Sequence, residues 1–283
     1  MGHAIGRELL TAGYRVVTTL EGRSAHSQEL ARRAGITDAG DLDQAIAAAD
    51  IVLSIMPPAA APEFAKAVTA VLERSPKPIY FADCNAIAPE VSRGIGVTVA
   101  AAGAHYLDVG IIGLPPKSGR CPRFYASGEY APVLEPLAGA AFDLKLMGDE
   151  VGRASAIKMC YAALTKGTWT LQTAVLLAGQ ALGVDRELWA EFETSQADDL
   201  ARMRARIPWL AADSQRWIGE MEQIAATFRS AGVTDGFHQG AASIFQMLAN
   251  SPLSTETRAN ADQSRTLEQA IEIFANQIDK PAK

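Results

Sequence analysis

Gly148-Asp149-Glu150-Val151-Gly152-Arg153-Ala154-Ser155-Ala156-Ile157-Lys158-Met159-Cys160-Tyr161-Ala162-Ala163-Leu164-Thr165-Lys166-Gly167 is the stretch on which the fold turns. Before it, short β-rich runs alternate with helical ones. After it, only helical periodicity is found. Ile157, Tyr161, Leu164, Thr168, Leu171, Val175, Ala178 and Leu182 recur at spacings of four and three. That stripe runs down one face of a long helix and requires a helical partner, either in the chain's own core or in a dimer seam. Lys158 stands about one turn inside this helix. The expected division is an α/β domain over residues 1–150 and an all-helical domain over 151–283.

Working outward towards the start, Met1 to Leu10 reads as a helix with Ile5, Leu9 and Leu10 on one face, ended by Gly13. Tyr14 to Leu20 is a β-rich run. Helices are expected over 27–34 and 42–49, a continuous apolar strand over 50–56 broken by Pro57-Pro58, and a helix over 60–74. A strand over 78–83, a helix–strand pair over 89–102 and a strand over 106–112 complete the half. Strands alternating with helices imply a parallel sheet covered on both faces, with ligands at the carboxyl ends of the strands. Such a sheet ordinarily opens with a strand and a glycine turn. Here the helix comes first, so the first strand and most of the turn are expected to lie outside this sequence, through an upstream start or a truncation. Towards the other end, helices near 186–206, 213–231, 237–249 and 261–278 complete the second domain.

Composition narrows the function classes. The 283 residues are 48% hydrophobic and 20% charged, a globular balance. Net charge is −6, which argues against a broad nucleic-acid or membrane surface. The most apolar helical run, 162–184, is interrupted by Lys166, Gln172, Gln180 and two glycines, so a membrane span is not expected. Three scattered cysteines with no CxxC pair, and four histidines with no HExxH cluster, exclude a disulfide framework or a zinc site of familiar spacing. A cytoplasmic setting, with no metal, is the expectation.

Several segments together give a resemblance. Met1-Gly2-His3-Ala4-Ile5-Gly6-Arg7-Glu8-Leu9 matches the tail of a dinucleotide glycine fingerprint, with Gly2 as its third glycine. Ser54-Ile55-Met56-Pro57-Pro58, Asp83-Cys84-Asn85-Ala86-Ile87-Ala88-Pro89, Asp108-Val109-Gly110-Ile111-Ile112-Gly113 and Gly152-Arg153-Ala154-Ser155-Ala156-Ile157-Lys158 follow in order. The chain resembles the β-hydroxyacid dehydrogenases, the group of 3-hydroxyisobutyrate and 6-phosphogluconate dehydrogenases. Its second half is similar to a subgroup whose C-terminal domain is of unknown function. The resemblance implies a Rossmann-like doubly wound parallel sheet, an all-α C-terminal domain and an NAD(P)-dependent enzyme. It also implies a homodimer built through the helical domains and a site in the cleft between the two domains.

Residue by residue, the resemblance places Lys158 as the general acid/base. An ammonium about 3 Å from a substrate oxygen donates the proton that hydride transfer to a carbonyl demands, and this help is worth about 10²–10⁴ in rate. Tyr161, one turn on where the family has asparagine, is placed to share that oxygen. Lys166, two turns on, is placed to meet an anionic substrate group. Glu21 stands where a carboxylate reads the ribose 2′-hydroxyl of NAD, and Arg23 with Ser24 where a 2′-phosphate would be held. The pair of donors favours NADP, with NAD as the alternative. Met56 and Pro57 lie along the cofactor, or merely end their strand. Asn85 stands where the family has a hydroxyl contacting cofactor or substrate, or else caps the following helix.

Gly110 and Gly113 allow close backbone approach, while Ile112 replaces the family's carboxylate-gripping serine, so a more apolar substrate pocket is expected. Glu220, Glu222 and His238 are expected to be structural. Two alternatives stay open: an imine reductase-like enzyme, and a cofactor-poor binding or scaffold protein.

Overall fold

The computed structural model describes residues 1–117, 120–257 and 260–278. They divide into two compact units, Met1–Tyr161 and Ala162–Lys283.

The first unit opens on helix α1 (Gly2–Thr11), which buries Ala4, Ile5, Gly6 and Leu9. Next come β1 (Val17–Thr18), α2 (Ala25–Arg33), β2 (Thr37–Asp38), α3 (Leu42–Ala48), β3 (Ile51–Ser54), α4 (Ala61–Arg74), β4 (Tyr80–Asp83), α5 (Pro89–Ala101) and β5 (His105–Ile112). Two further strands follow, β6 (Arg123–Ser127) and β7 (Asp143–Leu146). The strands form two sheets. β1 and β2 pair in parallel, while β3-β4-β5-β6-β7 form a second sheet. In the second, β3, β4 and β5 are mutually parallel and β6 is antiparallel to β5. The centre of this sheet is apolar on both faces. Ile5 and Leu9 of α1 pack on Ala82, Leu107, Val109 and Phe124, and the other face holds Val68, Phe81, Ile95, Val99 and Tyr106. That is the burial a parallel sheet needs.

Some expected elements differ in the structure. Residues 89–102 are one helix, not a helix–strand pair. The β-branched run Ile95–Val99 reads as strand, but Ser92, Ile95, Gly96 and Val99 fall on one helical face and are buried. Gly96 lets that face meet the Tyr106 ring, 2.9 Å from where a Cβ would stand. The expected strands β3, β4 and β5 are parallel, and β6, which was not expected, returns antiparallel beside β5. Of the β-rich run 14–20, only Val17–Thr18 pairs as strand.

The boundary also falls inside a helix. The second unit is helical: α6 (Arg153–Leu182) continues into it from the first unit, followed by α7 (Asp185–Ser195), α8 (Ala197–Arg206), α9 (Ala211–Ser230), α10 (Gly236–Ala249) and α11 (Leu267–Ala275). The expected division at 150/151 precedes α6, whereas the compact units part at 161/162, because the first turns of α6 are bonded to the sheet. The expected helix 186–206 is interrupted at Gln196, which joins α7 to α8. Trp217 of α9 packs on Trp169 of α6 and Phe245 of α10. Among the described residues, no helix is long and apolar enough to cross a membrane.

Candidate functional site

The carboxyl edge of the second sheet collects most of the residues singled out from the sequence. Ser54, Asp83 and Asp108 are aligned across β3, β4 and β5. Met56, Asn85 and Gly110, each two residues further on, therefore share one edge.

Asn85 is buried and joins two strand ends. Its Oδ1 accepts the Met56 N–H at 2.6 Å, and its Nδ2 donates to Ser54 Oγ at 2.9 Å. Its own backbone N–H donates to Asp83 Oδ1 at 2.9 Å. The helix-cap alternative is corrected: α5 begins after Ala88, with no side-chain cap. Asn85 instead fixes the loop of Met56 and Pro57, and Pro57 leads into a 3-10 turn over Pro58–Ala60.

Asp83 is almost wholly buried. Burial pushes its carboxyl up to about 7; hydrogen bonds from Asn85 oppose the shift and Asp108 adds to it. Its Oδ2 has no hydrogen-bond partner. Cys84 is buried too, and burial first, then Asp83 and Asp108, hold its thiol well above the usual range. A protonated buried thiol is no nucleophile.

Lys158 lies against β5. A Cβ built on Gly110 would run into the Ala154 carbonyl oxygen and stand 2.9 Å from Lys158 Cβ. The lysine stem therefore crosses the strand where glycine leaves room, half-buried, at the carboxyl edge. Ile112 is buried, and Gly113 takes a φ of +123°, where a Cβ would stand 3.3 Å from the Pro122 α-carbon. Tyr161, one turn beyond Lys158, is 50% exposed.

The turn after β1 brings Glu21, Arg23 and Ser24 together. Gly22 adopts a φ of +68°, and Arg23 N–H closes the turn on the Leu20 carbonyl at 3.2 Å. Gln28 Nε2 ties the turn down through the Leu20 and Arg23 carbonyls. Glu21 and Arg23 are exposed, and Ser24 Oγ caps α2 by accepting the Ser27 N–H. At α1, Gly2 makes ordinary contact with Ile55, whereas Gly6 is the crowded glycine, 2.6 Å from Ile36 Cδ1 at its built Cβ.

Lys166 is placed differently from expectation. It is buried in the second unit, and its Nζ meets Glu220 Oε1 at 2.6 Å. An amine so paired has its charge matched within the protein. Glu220, expected to be structural, is its partner, while Glu222 is exposed. His238 is buried with its ring edge on Phe228 and its Nδ1 without a partner, and burial lowers its basicity.

One feature escaped the sequence reading. Asp108 Oδ2 accepts the N–H groups of Gly152 at 3.0 Å and Ser155 at 2.9 Å, and Oδ1 accepts Ser155 Oγ–H at 2.6 Å. Ser127 Oγ donates to Asp108 at 3.3 Å and accepts the Ala154 N–H at 3.1 Å. The first turn of α6 is thus capped by strands β5 and β6. Only the distance in sequence, over 40 residues, hid this cap.

The residues fit a dinucleotide. Exposed Glu21 and Arg23 sit on a glycine turn after a strand, α1 presents its amino end beside Ile55, and Asn85 holds the Met56 loop at the sheet's carboxyl edge. Residues 1–135 match the family described as the NAD binding domain of 6-phosphogluconate dehydrogenase. Residues 180–248 match a domain of unknown function, DUF1932. No curated protein matches the chain.

Similar solved structures include the following three. The conserved protein MTH1747 of unknown function, itself described as structurally similar to 3-hydroxyacid dehydrogenases, is 26% identical with a TM-score of 0.62 over 87% of this chain and 92% of its own. Mycobacterium tuberculosis 3-hydroxyisobutyrate dehydrogenase with L-serine is 17% identical with a TM-score of 0.60, over 96% of this chain and 94% of its own. A reductive aminase from Aspergillus terreus in complex with NADPH and ethyl-5-oxohexanoate is 20% identical with a TM-score of 0.51, over 87% of this chain and 89% of its own.

Proposed function

We propose that this chain, whose residues 1–135 match the NAD binding domain of 6-phosphogluconate dehydrogenase and whose residues 180–248 match DUF1932, is an NAD(P)-dependent oxidoreductase acting on a small hydroxyl or carbonyl substrate. Lys158 is its general acid/base. The observation that carries this reading is the Lys158 stem packed over Gly110 at the carboxyl edge of the sheet. A bound nicotinamide supplies or accepts the hydride. The Lys158 amine does the complementary work: it gives a proton to the substrate oxygen when the carbonyl carbon gains hydride, and takes it back in reverse. Glu21 and Arg23 read the ribose, and Arg23 favours NADP. The Met56 and Pro57 loop, pinned by Asn85, lines the cofactor. Buried Ile112 and the backbone at Gly110 and Gly113 give the substrate side an apolar wall.

A second reading, reduction of a carbon–nitrogen double bond, is favoured by one feature. Tyr161 is half-exposed one turn from Lys158 and offers a neutral hydroxyl as proton donor. The same proposal takes the protein as cytoplasmic and as a homodimer. Tyr161, Leu164, Thr168, Leu171, Val175, Ala178 and Leu182 of α6 are all exposed, uncharged and spaced three and four apart. That seam is about 32 Å long. A second copy of the same stripe matches it in length, spacing and lack of charge.

The test is nucleotide fluorescence with NADPH and NADH, followed by turnover of a hydroxy acid series and of a cyclic imine. NADPH should bind more tightly than NADH. Lys158→Ala should abolish alcohol oxidation and leave NADPH affinity within about twofold. Turnover surviving in Lys158→Ala, with Tyr161→Phe inactive, would move the role to the tyrosine. Binding of neither nucleotide would leave a binding or scaffold protein instead.

A further inference from the structure

We propose that Asp108 and Gly110 are positioning residues that seat α6 on β5 in one register and so fix where the Lys158 amine stands. The proposal deepens the assignment of Lys158 as acid/base and rests on it for its functional meaning. The seat itself is independent of that assignment.

A helix presents four backbone N–H groups at its start with no partner inside the helix. At the start of α6, Gly152 just before it and Ser155 within it give theirs to Asp108, and Ala154 gives its own to Ser127. Asp108 is 1% exposed and belongs to the central strand of the sheet, so the acceptor cannot drift. A carboxyl group at this end also complements the helix dipole. Gly152 reaches Asp108 in a conformation, φ +102°, that few other residues adopt.

Two residues along the same face of β5, Gly110 admits the next turn of α6. Two strand residues on from Asp108, and three helix residues on from Ser155, the contact of Gly110 with Ala154 and Lys158 continues the same seat of α6 on β5. Side chains on a helix lean back towards its amino end, so the Lys158 stem lies over the turn that Asp108 holds. Asp108 acts by holding the backbone that carries Lys158.

The experiment is competitive acylation of lysines, read by peptide mass spectrometry, with exposed Lys145 as internal reference and with or without NADPH. It needs no substrate. In Asp108→Ala, labelling of Lys158 relative to Lys145 should rise at least about threefold as the first turn opens. NADPH protection of Lys158 should fall with it. Asp108→Asn keeps an acceptor for the backbone N–H groups and should restore labelling to within about twofold of the wild type. Gly110→Ala removes no charge and no hydrogen-bonding group, yet displaces α6 from β5 and should raise Lys158 labelling in the same way. If Asp108→Ala does not fold, Gly110→Ala and Ser155→Ala decide the matter by the same ratio.

Unchanged Lys158 labelling in these variants overturns the proposal. Labelling that rises equally at Lys145 also overturns it, since the loss is then general rather than local. If NADPH fails to protect Lys158 in the wild type while the variants still raise its labelling, the nicotinamide reading fails and the seat stands.

Discussion

Asn85 Oδ1 accepts the backbone N–H of Met56 at 2.6 Å, so the end of β4 holds the loop that leaves β3. The same amide donates to Ser54 Oγ. Asn85→Ala removes both bonds and leaves a part-buried N–H without a partner. Such a loss costs about 1–3 kcal/mol. Chemical denaturation should show that drop, and NADPH affinity should fall because Met56 and Pro57 lose their anchor. Stability that falls with nucleotide affinity intact would mean that this loop does not line the cofactor.

Lys166 and Glu220 should behave as a buried pair rather than as two independent charges. Their side chains are 11% and 10% exposed, with Nζ and Oε1 2.6 Å apart. Lys166→Met alone strands a buried carboxylate, a loss of about 3–5 kcal/mol. Adding Glu220→Leu should return most of it, since an apolar pair of similar volume replaces the ion pair. A double-mutant cycle from denaturant midpoints measures the coupling. Additive effects would show that the two groups are not coupled in solution.

Part of this was readable from residues alone. The alternation of elements and the long helix carrying Lys158 follow from periodicity, a local property. The 95–99 run misled because β-branched residues on a helix face look like strand until Tyr106 is seen to need the space above Gly96. β6 and β7 gave no periodic signal, since their positions depend on pairing with β5 and not on their own sequence. Asn85 stands out in its motif, but what it joins lies 29 residues away. Lys166 carried the same ambiguity as any helix lysine until Glu220 was placed beside it. Long-range partners decide polar roles, and sequence spacing does not encode them.

The exposed stripe of α6 yields a test of association. Leu164 and Leu171 are 75% and 66% exposed and lie two turns apart on one face. Leu171→Glu places a charge in the middle of that stripe. Sedimentation should find a dimer for the wild type and a monomer, or a dimer weakened at least about tenfold, for the variant. Because the position is already exposed, the fold of a single copy should keep its far-ultraviolet spectrum. A monomeric wild type at micromolar concentration would remove the seam.

Asp83 makes stability depend on pH in a direction opposite to that of a salt-bridged carboxylate. Burial raises its folded value to about 7, against about 3.9 in an unfolded chain. Below about 4 both states hold the proton, and the group does not tell them apart. Between about 4 and 7 the folded protein keeps the proton while the unfolded chain gives it up. The unfolded state then binds fewer protons, so stability falls as pH rises through this window. Three pH units at about 1.4 kcal/mol each cap the loss at roughly 4 kcal/mol. Asp83→Asn retains an oxygen for the Asn85 N–H and cannot ionise. Its stability, measured against the wild type by denaturation from pH 4 to pH 8, should be comparable at the acid end and higher at the alkaline end. Two curves that run parallel across the range would mean that Asp83 titrates alike in both states, with its unpartnered Oδ2 solvated after all.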